Sequence, residues 1–308
     1  MEHFLLRLAC HIYGFVSLEK QRSNFVSLFN RGYCVLGRWY RGEALDQIVV
    51  AVATHKPYKM PDDPIYLPLH VGAELHPDVL PDMQGDNTGD NISALNASYS
   101  ELTGLYWLWK NCDAQYKGLV HYRRLLGSAD KSKQHQKDPY EKLVDGPELL
   151  TLLSSKDVVL AKQRNYYIET VYDHYSHTLD GSQLDKMRSI LSERCPEYLP
   201  AWDGLMNSTR VHVFNMFVMP AATFDAYCAW LFPLLDELGQ RIDTSQMDSF
   251  AARWPGRVSE RMLDPWLTTN GISYAELPVV SPEPVDWVKK GSSFLAAKFL
   301  GKKYERSF

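Results

Sequence analysis

The feature that most constrains the fold is a set of short, valine-rich apolar runs separated by longer stretches. Three of them read QIVVAVAT (47–54), GLVHY (118–122) and DVVLA (157–161), and a fourth, HVFNMFVMP, spans 212–220. Continuous apolar runs of this length are typical of strands buried on both faces of a parallel sheet. The sequence therefore predicts an α/β fold with a mostly parallel central sheet.

Helical spacing fills two of the intervening stretches. It predicts one helix from about Asn96 through Lys110 and another over 222–238, which Pro233 should kink. Residues 56–94, rich in Pro, Gly, Asp and Asn, are predicted to form one long functional loop.

The segment from 47 to 285 contains no repeat and no clear linker, so it is predicted to be one domain. We expect an N-terminal extension over 1–46 and a basic tail over 286–308.

The strongest candidate for chemistry follows the second apolar run, where four polar or charged residues stand in a row. They are His121, Tyr122, Arg123 and Arg124. Ligands of open α/β sheets bind beyond the carboxyl ends of the strands, and adjacent guanidinium groups suit phosphate oxygens. These residues therefore predict a diphosphate site, with a structural network of arginines and carboxylates as the alternative.

Two other segments hold weaker candidates for binding a ligand. Thr54, His55 and Lys56 end the first run and are predicted to lie on the same rim, with an ordinary solvated turn as the alternative. Asp90 and Asn91 belong to a Gly-spaced loop whose short polar side chains suit sugar hydroxyls or a hard cation, although these residue types also form common turns.

Glu101 lies in the first predicted helix, and Glu260 lies between arginines in GRVSER (256–261). A carboxylate flanked by arginines stays ionised and can serve as a general base. A solvated helix residue and a salt-bridged helix start are the respective alternatives. His174 and His177 have the spacing of a metal pair but no matching carboxylate cluster, so metal binding is not expected there.

Composition narrows the class of protein. The chain has 33 Lys+Arg against 37 Asp+Glu and a formal net charge of −4, which argues against a nucleic-acid partner. Its five cysteines form no C-x-x-C pair, which favours a reducing, cytoplasmic setting. The apolar stretch within residues 1–15 is interrupted by Arg7 and His11, so neither a spanning helix nor a signal peptide is predicted there.

Several segments together resemble a bacterial capsular-polysaccharide glycosyltransferase family, long catalogued only as a domain of unknown function, that includes β-galactofuranosyltransferases. The segments are VATHKP (52–57), GDNTGDNISALNASYSELTGLYWLWKN (85–111) and GLVHYRR (118–124), followed by NMFVM (215–219), WLF (230–232) and GRVSER (256–261). Their order and spacing make the resemblance specific, and it covers roughly residues 47–270.

The resemblance implies a GT-A-type, Rossmann-like nucleotide-sugar-binding domain. It also implies an inverting transferase that moves a hexosyl group, galactofuranosyl or galactosyl, from a UDP-sugar to a lipid-linked glycan in O-antigen or capsule synthesis. A non-catalytic nucleotide- or glycan-binding subunit of an assembly complex is the alternative. A metal-dependent transferase or hydrolase using His174 and His177 is a second one.

Most GT-A enzymes hold a divalent cation with an Asp-x-Asp, and this chain contains none. Because HYRR stands at the corresponding place, we expect Arg123 and Arg124 to supply the positive charge, leaving Mn²⁺ or Mg²⁺ as the alternative. The residues expected to bind the donor are Thr54, His55, Lys56, Asp90, Asn91, His121, Tyr122, Arg123 and Arg124. Glu260 is expected to be the base, followed by Glu101 and Asp173.

A lipid-linked acceptor would place the enzyme at the inner face of the cytoplasmic membrane. Residues 287–308 carry six basic residues against one acid, Glu305, and Val288, Leu295 and Phe299 fall on one side of a helix. Basic residues beside an apolar stripe favour anionic headgroups, so peripheral attachment through this tail is predicted.

Overall fold

The computed structural model describes residues 47–283 of the 308-residue chain. The predicted extension over 1–46 and tail over 286–308 lie outside the described residues, as does the end of the predicted domain, 284–285. No helix within 47–283 is long and apolar enough to span a membrane.

Eleven strands lie within 47–283, and seven of them form the central sheet. They are β1 (Ile48–Thr54), β2 (Tyr66–His70), β3 (Gln84–Gly85), β4 (Tyr116–His121), β5 (Leu125–Leu126), β6 (Val158–Ala161), β7 (Arg164–Asn165), β8 (Arg210–Val211), β9 (Phe217–Pro220), β10 (Tyr274–Leu277) and β11 (Val279–Val280). The strand order in the central sheet is β10-β6-β9-β4-β1-β2-β3, and the pairs β5–β11 and β7–β8 lie outside it.

Strand directions make this sheet mostly parallel. Strand β1 pairs in parallel with β2 and β4, β2 with β3, and β6 with β10, whereas β9 is antiparallel to both β4 and β6. Six strands therefore run one way and β9 alone runs the other way. The predicted α/β fold with a mostly parallel central sheet is confirmed.

Helices cover the sheet and connect its strands. They are α1 (Asn96–Tyr99), α2 (Leu102–Asn111), α3 (Lys131–Gln134), α4 (Gly146–Leu153), α5 (Val171–Thr178), α6 (Ser182–Arg194), α7 (Leu199–Met206), α8 (Ala221–Arg241), α9 (Trp254–Ser259) and α10 (Leu263–Thr269), with 3₁₀ turns at Ser93–Leu95, Pro139–Lys142, Pro196–Tyr198 and Ala251–Arg253. The predicted helix over 222–238 is α8, which continues through Pro233.

Burial explains why β1 lacks the alternation of a surface strand. Ala51 and Ala53 join the core on one face of the sheet, together with Leu105 of α2. Val50 and Val52 join a second core on the opposite face. Successive side chains of β1 thus alternate between the two cores, so both faces of the strand need apolar residues.

Three sequence predictions are wrong in detail. Residues 56–94 are not one loop, because they contain β2 and β3. Pro68 obscured β2, yet proline is tolerated there since β3 pairs only with the two residues that follow it. The predicted helix over 96–110 is divided at Ser100, whose φ of 52° is left-handed. Likewise, the run 212–220 is extended only at Phe217–Pro220.

All six parallel strands end at one edge of the sheet, and β9 begins there. This carboxyl edge collects the residues that follow Thr54 in β1, His121 in β4 and Ala161 in β6, together with Phe214 and Asn215 before β9. Such an edge is where open α/β sheets bind their ligands.

Candidate active site at the carboxyl edge

The HYRR segment forms a tight turn that leaves the end of β4. The backbone amides and carbonyls of His121 and Arg124 exchange two hydrogen bonds, both of 2.9 Å. Directly paired residues present their side chains on the same side, so these two point together while Tyr122 and Arg123 occupy the tip. The Tyr122 amide donates to the Ala53 carbonyl at 3.2 Å, which ties the turn to β1.

The Tyr122 ring joins this turn to the loop after β1. It is buried, and His55 meets it edge-on with the ring centroids 5.4 Å apart. Lys56 Nζ and the Arg123 guanidinium each lie 5.3 Å from its centroid. Thr54 is fully buried, and its hydroxyl donates to the Lys56 carbonyl at 2.8 Å, so it shapes this loop. The structure thus brings the two predicted segments together.

Positive charge accumulates at this edge. The pKa of Arg124 is lowered by burial and then by the nearby charges of Arg123 and Arg164. The pKa of His55 is lowered by burial and by Lys56, Arg123 and Arg253. Lys56, Arg123 and Arg164 make no ion pair with any residue of 47–283. These three cations are therefore not neutralised by a structural network within the described part of the chain.

Phe214 and Asn215 connect the turn to the carboxylates. Both have left-handed backbones, with φ of 80° and 51°. His121 Nε2 lies 2.5 Å from the Phe214 carbonyl oxygen, an acceptor, so this nitrogen carries the proton. The Arg124 guanidinium lies 4.4 Å from the Phe214 ring centroid. Burial lowers the pKa of His121, so the imidazole is neutral near pH 7.

Buried Asn215 holds Glu101 in place. Its Nδ2 donates to Glu101 Oε1 at 2.8 Å and to the Gly256 carbonyl at 3.1 Å, and its Oδ1 accepts from the Ser259 hydroxyl at 3.0 Å. Glu101 Oε2 has no hydrogen-bond partner among residues 47–283. One oxygen of this half-buried carboxylate is thus fixed and the other is open.

Glu260 differs from Glu101 because both of its oxygens are engaged. Oε1 accepts from the Phe214 amide at 2.9 Å, and Oε2 accepts from Arg261 Nη1 at 2.5 Å. The Arg261 side chain is buried and also donates to the Arg257 carbonyl. This arrangement suits an anchor for the Phe214 backbone and a counter-charge for a buried arginine.

Backbone strain concentrates around Glu101. Ser100, Phe214 and Asn215 are non-glycine residues with positive φ, and each such residue costs on the order of 1–3 kcal/mol. Arg253 Nε donates to the Ser100 hydroxyl at 2.9 Å and so joins the same group. Strain of this kind clusters at functional sites, where the surrounding structure imposes it.

Three predicted site residues lie apart from this group. Asp90 accepts from the Tyr106 hydroxyl at 3.2 Å, and its backbone bonds the Asn111 side chain at the far end of α2. A ten-residue helix is about 15 Å long, so the turn containing Asp90 and Asn91 lies roughly that far from Glu101. Asn91 bonds the Gly89 carbonyl within its own turn.

Asp173, the third, is exposed in the first turn of α5, where its amide is capped by Thr170. No hydrogen bond or ion pair within 47–283 links its side chain to the arginines of the HYRR turn or to Glu101.

His174 and His177, whose spacing is that of a metal pair, both contact buried Glu169. Their Nδ1 atoms lie 3.0 and 3.3 Å from the two oxygens of buried Glu169. Within 47–283, no three His, Cys, Asp or Glu side chains are arranged to hold a metal ion.

Sequence reasoning missed Asn215, Arg164 and Arg253. Asn215 lies in a run that predicted a strand, although asparagine is enriched at positive φ and offered a weak signal. Arg164 follows the third apolar run by three residues, and a search of every strand end for cations would have found it. Arg253 lies three residues before the GRVSER segment (256–261) that contains Glu260.

Two comparisons with known proteins match most of this chain. A family profile described as "Domain of unknown function (DUF4422)" matches residues 49–271. A search among curated proteins found no match. The chain is similar to a solved structure, the apo form of the WbbM bifunctional glycosyltransferase, with 28% sequence identity and a TM-score of 0.70 over 76% of this chain. It spans 45% of the length of that protein. The likeness confirms the expected GT-A-type fold.

Proposed function

The chain belongs to the family described as domain of unknown function DUF4422, and from this premise we propose that it is a glycosyltransferase of polysaccharide synthesis. One observation carries the proposal: Lys56, Arg123 and Arg164, which make no ion pair within 47–283, lie at the ligand-binding edge of the sheet, where Glu101 keeps one oxygen open. The 28% identity with a bifunctional glycosyltransferase supports it. Transfer from a nucleotide sugar needs both features, because a diphosphate leaves while an acceptor hydroxyl loses its proton.

The donor proposed is a UDP-sugar whose diphosphate lies against Arg123 and Arg124. Guanidinium groups bind phosphate oxygens bidentately and stabilise the charge that develops on the leaving group. Lys56 adds positive charge from the loop after β1, and His55 borders the nucleoside side. His121 is neutral and bonded to the Phe214 carbonyl, so we give it a positioning role.

Glu101 is proposed as the general base. Asn215 fixes Oε1, which leaves Oε2 able to accept a proton from the acceptor hydroxyl. Glu260, the base expected from the sequence, has both oxygens occupied and is better suited to positioning Phe214. A single base acting opposite the leaving diphosphate corresponds to a direct displacement with inversion.

The side chains at this edge do not fit a divalent cation. Mg²⁺ and Mn²⁺ prefer carboxylate and other oxygen ligands, whereas the turn after β4 presents an imidazole and two guanidinium groups. Neither Glu101 nor Glu260 has both oxygens open. We therefore propose a donor site in which arginines do the work of the metal.

The finer identity of the substrates rests on the family resemblance of the sequence. We propose a hexosyl donor, UDP-galactofuranose or UDP-galactose, and a lipid-linked glycan acceptor of O-antigen or capsule synthesis. Attachment to the inner face of the cytoplasmic membrane would come from the basic segment 287–308. Deleting that segment should move the protein from the membrane to the soluble fraction, and unchanged partitioning would contradict the attachment.

The function is tested by UDP release. Purified protein is given UDP-galactofuranose, UDP-galactose or UDP-glucose with and without a lipid-linked acceptor, before and after exhaustive EDTA treatment. We expect acceptor-dependent release from one donor that EDTA leaves unchanged. Binding of UDP without any transfer would indicate a non-catalytic binding subunit, and strict dependence on added metal would refute the role given to the arginines.

A further inference from the structure

The loop after β7 carries the two most exposed large hydrophobic side chains within 47–283. Tyr167 is 79% exposed and Ile168 is 70% exposed. Elsewhere in that range, the exposed large hydrophobic side chains reach at most 45%. Tyr167 also has a φ of 60°, a left-handed conformation that is unusual for an aromatic residue.

This tip is held rigidly from below. The Tyr167 amide donates to Asn165 Oδ1 at 2.7 Å, and the Ile168 amide donates to the Tyr166 carbonyl at 2.7 Å. Buried Glu169 bonds the two histidines of α5, and one of them, His174, stacks on buried Tyr166 with the centroids 3.7 Å apart. The structure therefore enforces the strained, exposed conformation of Tyr167, which has no packing role to explain it.

The tip borders the candidate active site. Strand β7 begins three residues after β6 ends at the carboxyl edge, and its Arg164 lowers the pKa of Arg124 in the HYRR turn. Below the tip, Tyr166 lies within electrostatic reach of Arg261 and Glu260, and Glu260 anchors Phe214. The residues that lead into the tip, Arg164 and Tyr166, therefore lie close to the proposed donor site.

We propose that Tyr167 and Ile168 form a platform for a sugar ring of the acceptor glycan, an inference that rests on the proposed function. A sugar ring has an apolar C–H face that packs on an aromatic ring, and its hydroxyls are suited to donors such as exposed Arg164, which has no ion pair within 47–283. Exposed Arg210, on the strand paired with β7, adds a second donor on this side. An isolated two-residue tip flanked by such donors fits one sugar ring.

The test uses Tyr167→Asn, because asparagine tolerates positive φ and keeps the loop while removing the ring. We expect the acceptor KM to rise about tenfold, as for the loss of one stacking contact, with kcat and the donor KM near wild type. Tyr167→Phe should keep the wild-type KM. Leu75→Ala, which shortens an exposed side chain in the loop between β2 and β3, is the matched control.

Glycan binding is measured separately without donor, by saturation-transfer NMR with octyl galactoside, octyl glucoside and octyl mannoside. We expect saturation of at least one of these glycosides by wild type and Tyr167→Phe, and its loss in Tyr167→Asn. An unchanged acceptor KM in Tyr167→Asn overturns the platform, and so does a parallel rise in the donor KM. Saturation of none of the three by wild type also overturns it.

A membrane contact is the rival occupant. If Tyr167→Asn reduces binding to phosphatidylglycerol vesicles while the acceptor KM is unchanged, the tip is a lipid contact and the platform is refuted. Failure of the proposed function looks different, since wild type would then release no UDP from any donor.

Discussion

Two polar regions lie at the same edge of the sheet and differ in how completely their polar groups are satisfied. The first is centred on fully buried Asp86, beyond β3. Its carboxylate accepts from the Gly72 and Ala73 amides at 3.0 and 3.1 Å, from the Ser93 hydroxyl, and from the Thr103 hydroxyl at 2.5 Å. The second is the HYRR turn with its surrounding cations.

In the Asp86 region, every oxygen is bonded to neighbours that are close in the fold, so the group stabilises the loop by itself. In the HYRR region, Lys56, Arg123 and Arg164 lack a carboxylate partner within 47–283, and Glu101 keeps one oxygen open. Concentrated like charges are costly unless a ligand compensates them. Whether every hydrogen-bonding and charged group has a partner, rather than its polarity or burial, therefore separates the structural region from the functional one.

Glu101→Gln is expected to have the largest effect, because it removes the proposed general base. Glutamine keeps the shape and the bond from Asn215 but cannot accept the proton, so kcat should fall by about 10²–10⁴ while UDP affinity stays near wild type. Steady-state kinetics and calorimetry with UDP measure the two quantities.

Glu260→Gln is the matched variant. It deprives buried Arg261 of its counter-charge and should cost about 3 kcal/mol of unfolding free energy, read as a lower Tm. A stable and fully active Glu101→Gln would show that the open oxygen has no role in catalysis.

Arg123→Ala and Arg124→Ala test whether the arginines of the HYRR turn bind the diphosphate. Losing one preorganised donor to the leaving group should reduce kcat by about 10²–10³ and weaken UDP binding. The control is Arg188→Ala, which removes an exposed arginine paired with Asp203 and should change neither quantity. Wild-type UDP affinity in Arg123→Ala would place the diphosphate elsewhere.

Much of the fold could be predicted from the sequence because strands buried on both faces need apolar residues at every position. The continuous apolar character of β1 follows from its two covered faces, and the position of HYRR after such a strand placed it at the ligand edge. Strand β2 was missed because Pro68 argues against a strand in the sequence. The structure shows that β3 pairs only with Leu69 and His70, so Pro68 has no strand partner on that side.

The site was predictable only where it is local in sequence. Thr54–Lys56 and HYRR each follow a strand, whereas Asn215 reaches Glu101 from 114 residues away through a left-handed turn. Nothing in a linear pattern distinguishes Glu101 from Glu260, since the difference lies in which oxygen is already bonded. The composition of the loop that contains Asp90 and Asn91 predicted a binding role. In the structure, Asp86 stabilises the fold of this loop and Asp90 lies beside the end of α2.

Asp86→Ala tests whether the Asp86 region is purely structural. It leaves the buried Gly72 and Ala73 amides without acceptors and should lower the unfolding free energy by about 2–4 kcal/mol. Remaining folded protein should keep its UDP affinity, because Asp86 faces its own loop. Asp130→Ala, which removes an exposed cap of α3, should cost about 1 kcal/mol or less. A strong loss of UDP affinity in folded Asp86→Ala would assign Asp86 to the site.

The smallest expected effect is the pH dependence of stability at the HYRR edge. Burial lowers the pKa of His55, His70 and His121 below the ordinary value of 6.5, so the unfolded chain binds protons more readily there. Their neutral forms contribute stability that is fully present above pH 6.5 and is lost as the pH falls toward their native pKa values. His121→Gln retains a donor for the Phe214 carbonyl but cannot titrate, so the decline in Tm below pH 6.5 should be shallower in this variant. An equal decline in wild type and His121→Gln would mean that protonation of His121 does not oppose folding, and that the imidazole is less enclosed by Phe214 and Arg124 than its contacts indicate.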